Sequence, residues 1–143
     1  MNNHQITYRV IFSDVDAGEI VYHARYFEMA ERGRNEMMRA VGIPAGGFLF
    51  VDDIGMVLTS AKLKFKSPVV MDDLLTITTR VKYLSEAKIS FCTNISRKNT
   101  LICALEIDLA CVNRVTKKAC FIPPKLLTKL HEMAPLPQLE VMA

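Results

Sequence analysis

The chain has 143 residues, half of them hydrophobic and 23% charged, with a net charge of +3. This balance excludes an intrinsically disordered chain and is too mild to argue for nucleic acid, although it suits a ligand that carries phosphates. The length predicts one domain over residues 1–143, able to bury roughly 68–70% of its unfolded surface without covalent staples. The four cysteines, Cys92, Cys103, Cys111 and Cys120, lie in apolar runs with no C-x-x-C spacing, and read as reduced thiols of a cytoplasmic protein. No basic segment followed by an apolar one opens the chain. Nor does any stretch reach the roughly 18 apolar residues of a membrane span.

Ile6, Tyr8, Val10 and Phe12 alternate with polar residues, predicting a first strand that ends in the polar turn at residues 13–19. A helical pattern follows over about residues 23–41. Tyr26, Met29, Ala30, Gly33, Met37, Ala40 and Val41 mark its buried face; Glu28, Arg32, Glu36 and Arg39 lie opposite, with Glu28–Arg32 and Arg32–Glu36 one turn apart. Gly42 and Pro44 read as its stop. Residues 44–53 read as a connecting loop, in which Gly46-Gly47 lacks the spacing of a phosphate-cradling motif.

Four strands are expected next. Over residues 54–66, Val57, Thr59, Ala61, Leu63 and Phe65 share one face while Lys62, Lys64 and Lys66 share the other, and Ser67-Pro68 ends the run. In residues 74–84, Leu75, Ile77, Thr79, Val81 and Tyr83 alternate. Ser85-Glu86 turns the chain into a strand over 87–97, and Lys98-Asn99 turns it into one over 101–113. That last strand is apolar at nearly every position and reads as central. Pro123-Pro124 opens a terminal helix to about Met133, and the tail from about residue 134 is expected to be loosely held. The sum is α+β: a long central helix against a curved antiparallel sheet of about five strands.

Residues 13–26, SDVDAGEIVYHARY, place two aspartates, a glycine and a histidine at the mouth of the long helix. Unpaired N–H groups and the positive end of the helix dipole favour negative charge there. Taken locally, the aspartates serve equally well as caps and the histidine as a surface residue. The run from Phe12 to Phe27, continued by Ala30-Glu31-Arg32-Gly33-Arg34, resembles the signature of the 4-hydroxybenzoyl-CoA thioesterase family, and within it the bacterial acyl-CoA thioesterases associated with the Tol-Pal system. Weaker similarity runs through Lys64-Phe65-Lys66-Ser67-Pro68 and Asp72-Asp73-Leu74.

The resemblance implies a hotdog fold, assembled as a homodimer or homotetramer with active sites between protomers. It implies hydrolysis of acyl-coenzyme A, with coenzyme A part of the substrate and no further cofactor or metal. By similarity, Asp16 is the nucleophile or general base and His23 the second catalytic residue, its backbone N–H placed at the carbonyl oxygen and its side chain orienting Asp16 or the substrate. Gly18, Val21, Tyr22 and Glu31 would contact substrate, with Gly18 allowing close approach. Lys64, Lys66, Lys88 and Ser90 are candidates for the coenzyme A phosphates, and Lys117 and Lys118 weaker ones. Met29, Met37, Phe48 and Phe50 are expected to set the acyl pocket. Many relatives carry tyrosine at the position of Phe12 and a second glycine at that of Glu19, so a hydroxyl is lost and a charge added near the site. Two other functions stay open on the same residues: an acyl-CoA sensor without turnover, and a hotdog dehydratase acting on carrier-protein substrates.

Overall fold

The computed structural model describes residues 3–43 and 53–134. The loop expected at 44–52, with Gly46-Gly47, Phe48 and Phe50, and the tail from 135 lie outside the described residues.

Five antiparallel strands form one sheet: β1 (Asn3–Arg9), β2 (Ile54–Phe65), β3 (Leu74–Leu84), β4 (Lys88–Arg97) and β5 (Thr100–Asn113), in the order β1-β3-β4-β5-β2. The helix α1 (Arg25–Ala40) lies across β1, β3 and β4. A second helix, α2 (Pro124–His131), closes the far end of the core, where Leu126 and Leu130 join Met37, Met38 and Ile43. The α+β expectation holds. None of the helices among the described residues is long and apolar enough to cross a membrane.

Gly33 lets α1 sit close to the sheet. A Cβ there would stand 2.5 Å from Thr79 Oγ1 and 2.9 Å from Ile77 Cγ2 of β3. The helix ends as Gly42 and Pro44 suggest, in a Schellman turn: Gly42 takes φ 90°, its N–H donates to the Arg39 carbonyl, and the Ile43 N–H donates to that of Met38. Its buried face differs from the expected one at the last turn, where Met38 is buried and Ala40 exposed. The surface ion pairs differ too. Glu28 pairs with Arg25 at 2.8 Å and Glu36 with Arg39 at 3.4 Å, which frees Arg32 to stack over the Tyr8 ring at 5.7 Å.

Two bulges overturn the simple alternation expected of β2 and β3. In β2 the register against β5 shifts between Leu58 and Ser60. Val57, opposite Ala110, therefore points away from the helix, whereas Ala61, Leu63 and Phe65 stand opposite the buried Ile107, Leu105 and Cys103. In β3 the shift lies between Val81 and Tyr83, so Leu84 pairs with the buried Ile89 and Tyr83 is left 54% exposed beside Ser90. A third shift, between Ile95 and Ser96 on β4, makes Ile102 of β5 the extra residue. Its carbonyl accepts from the Lys66 and Ser67 N–H groups at 2.8 and 3.4 Å, which anchors the loop leaving β2. The first strand also stops early. After Val10 the chain tightens into a 3-10 turn, Phe12–Asp14, and Phe12 is 78% exposed.

Candidate active site

Asp14 builds the turn between β1 and α1. Its carboxylate is buried, and Oδ2 accepts from the Tyr8 hydroxyl at 2.7 Å and the Ile11 N–H at 2.9 Å. Its carbonyl accepts the Tyr22 N–H at 2.9 Å. Burial, followed by the bond to this carboxylate, raises the Tyr8 pKa, so the phenol remains a donor.

Above that anchor the chain makes a small hairpin. Val15 and Val21 bridge antiparallel, the Asp16 N–H donates to the Ile20 carbonyl at 3.0 Å, and the Glu19 N–H donates to the Asp16 carbonyl at 2.9 Å. Glu19 takes a left-handed φ of 66°, the conformation that a glycine at this position would adopt without strain. The Asp16 side chain stands exposed at the head of the turn. Its Oδ1 accepts the Gly18 N–H at 2.8 Å and its Oδ2 has no partner among the described residues. A Cβ on Gly18 would approach Asp16 Oδ1 to 3.2 Å, so the glycine makes room for this carboxylate.

The Val21 N–H donates to the Val69 carbonyl at 2.8 Å, tying the hairpin to the loop after β2. The chain then enters α1 without a side-chain cap, because the capping position is Ala24. The N–H groups of Arg25, Tyr26 and Phe27 bond back to the carbonyls of Tyr22, His23 and Ala24. The N–H groups of His23 and Ala24 have no acceptor among the described residues. Two adjacent free donors thus stand at the positive end of the helix. Beside them a cavity of about 340 Å³ is lined by Ile20, Val21, His23 and Tyr26, and by Phe65, Lys66, Ser67 and Pro68 across from them.

The sequence-predicted residues divide accordingly. His23, Val21 and Lys66 line the cavity; Asp16 and Gly18 sit on the hairpin whose partner residue Ile20 lines it. The His23 ring packs against Tyr22 at 4.4 Å between centroids and makes no hydrogen bond to Asp16. Glu31 is on an exposed side of α1 and lines none of the cavities described here. Lys64 lies on the opposite face of the sheet, where it borders a cavity of about 240 Å³ with Lys62, Arg80, Asn94 and Glu106. Lys88 and Ser90 alternate with buried Ile89 and Phe91 on that same outer face, at the end of β4 away from the pairing of Ile95 with Cys103. Lys117 and Lys118 follow β5 at that distant end. Residue-by-residue reading missed the division of labour between Asp14 and Asp16, and the place of Tyr26 in the cavity wall. The spacing of Tyr8 and Asp14 carried no local signal of their bond.

The chain matches the family described as thioesterase-like superfamily over residues 10–130. It is 27% identical to the acyl-CoA thioesterase YbgC of Haemophilus influenzae, over 92% of this chain and 97% of that one. The crystal structure of a probable thioesterase from Bartonella henselae superposes with a TM-score of 0.79 at 30% identity, covering 85% of this chain and 99% of that one. A DHNA-CoA thioesterase from Staphylococcus aureus shares the fold, with a TM-score of 0.86 at 17% identity, over 99% of this chain and 100% of that one.

Proposed function

The chain belongs to the thioesterase-like superfamily, with its hotdog architecture, and from that membership we propose that it hydrolyses acyl-coenzyme A thioesters to the free acid and coenzyme A. The observation that carries this reading is a half-free carboxylate on Asp16, at the head of the hairpin, with two unpaired N–H groups where the same chain enters α1. A thioester needs little more. Its leaving thiol, with a pKa of roughly 8.5, departs with little proton donation, so a strong general acid is dispensable. The carbonyl oxygen would lie against the His23 and Ala24 N–H groups, where charge developing on it meets fixed dipoles. Asp16 Oδ2 then attacks the carbonyl carbon, expelling the coenzyme A thiolate and leaving a mixed anhydride that water hydrolyses, or takes a proton from a water that attacks the carbon and expels the thiolate. The Gly18 N–H holds the other oxygen and so fixes the plane of the carboxylate. Side chains, peptide dipoles and water suffice for this scheme. His23, on the cavity wall, would contact the substrate rather than Asp16, and Lys66, on the same wall, would meet the polar arm of coenzyme A.

We assign the active form to a homo-oligomer in the cytoplasm. The four cysteines are all free, which fits a reducing compartment. The edge strand β2 supports assembly: it is 12 residues long and leaves Val57, Leu58 and Phe65 between 42% and 55% exposed. The activity is tested by thiol release from a panel of acyl-CoAs with wild type and Asp16→Asn. A loss of about a hundredfold or more, equivalent to about 2.7 kcal/mol of transition-state stabilisation, is expected; an unchanged rate refutes the role of Asp16.

A further inference from the structure

Tyr26 lies in the first turn of α1 with only 4% of its surface exposed, its ring tilted against Phe65 at 5.7 Å between centroids. Its hydroxyl makes no hydrogen bond among the described residues. Nor is that oxygen sealed off, since the fully buried, unpartnered side-chain polar atoms are those of His4, Thr79 and Thr93. Tyr26 is part of the wall of the cavity at the helix mouth. That leaves the hydroxyl open to bonding by water or by a ligand group, whereas a phenylalanine would fill the same space and offer no such bond. Ile20, Val21, Phe65 and Pro68 make the apolar part of that wall, beside polar His23, Lys66 and Ser67. Burial also pushes the phenol up to about 12, which keeps it a proton donor throughout the working range.

Position along the helix sets what it can meet. Tyr26 follows His23 by three residues, and both are part of the wall of this one cavity. Building on the thioesterase reading above, we infer that Tyr26 is a specificity-determining residue: its hydroxyl donates to an oxygen carried on the acyl chain near the thioester, so that acyl groups with a hydroxyl there are favoured over plain hydrocarbon chains. A site that offers a hydrogen bond to such an oxygen is left with an unpaired buried group when an unsubstituted chain binds.

The test compares kcat/KM for 3-hydroxybutanoyl-CoA and butanoyl-CoA in wild type and Tyr26→Phe. Wild type is expected to favour the hydroxylated substrate by about tenfold or more, and Tyr26→Phe to collapse that ratio toward one. A ratio unchanged in Tyr26→Phe, or equal losses on both substrates, overturns the proposal, the second result placing the hydroxyl against the pantetheine arm. Dissociation constants of the matching S-3-hydroxybutyl and S-butyl thioethers of coenzyme A, measured in parallel on both proteins, make the same comparison without turnover. Absence of thiol release therefore counts against the thioesterase reading, while the thioether ratio still decides the role of Tyr26.

Discussion

Asp14 and Asp16 stand two residues apart and face opposite environments: the first is buried against Tyr8 and the Ile11 N–H, the second is exposed and bonded once to the Gly18 N–H. Truncating each should therefore fail in a different assay. Asp14→Ala removes a buried carboxylate that ties the half-buried Tyr8 phenol to the Ile11 N–H, and is expected to lower stability by about 1–3 kcal/mol, read from denaturant midpoints. Asp16→Asn removes a solvent-facing charge and should melt near wild type while losing thiol release. If Asp14→Ala left the midpoint unmoved, the carboxylate would not be the anchor of the turn. A D-x-D pair was legible in the sequence as a polar turn at a helix mouth. Which aspartate faced solvent was not, because that depends on Tyr8, six residues back on a strand.

At the level of elements, α1 was readable because its apolar spacing, its glycine stop and its buried face all obey one period. How near it sits to the sheet was not readable, and Gly33 decides that. Gly33→Ala improves helix propensity by about 1 kcal/mol, yet its Cβ would meet Thr79 Oγ1 and Ile77 Cγ2 at distances that force the helix or β3 to shift. Overpacking should win, with a net loss of about 1–2 kcal/mol in chemical denaturation; a stabilised variant would show that the helix rides higher than described. The strands were likewise found at nearly the right residues, and the bulges at Leu58/Ser60 and Val81/Tyr83 reversed the faces assigned to Val57 on β2 and to Tyr83 on β3. A bulge arises from how two distant strands share hydrogen bonds, so one strand read alone assigns the far half of its residues to the wrong side.

For the whole molecule, edge and core give two further expectations. Among the described residues β2 is an edge strand with no partner on its outer side, and Leu58, 55% exposed, lies on it. Leu58→Lys should shift sedimentation toward the monomer, since a charge on an exposed edge opposes strand addition; unchanged sedimentation would place the contact elsewhere. The core should also give way on the alkaline side. Burial raises the Cys103 thiol from 9.0 to about 11, raises Tyr26 from 10.0 to about 12, and raises Cys111 as well. In each case the unfolded chain releases its proton first, so stability is complete below about pH 9 and declines as pH climbs toward the folded values. Melting temperatures measured from pH 8 to 11 should fall more gently in Cys103→Ala than in wild type; parallel slopes would remove that thiol from the effect. By itself the sequence determined the order of elements, the helix with its stop, and a polar turn at the mouth of that helix, because those follow from periodicity and local turn preferences. Tertiary structure alone decided which carboxylate is free, which strand faces are buried and that Tyr26 reaches a cavity. Each of those depends on a bond or contact between residues far apart in the chain, such as the Val21 N–H on the Val69 carbonyl and the Lys66 N–H on that of Ile102.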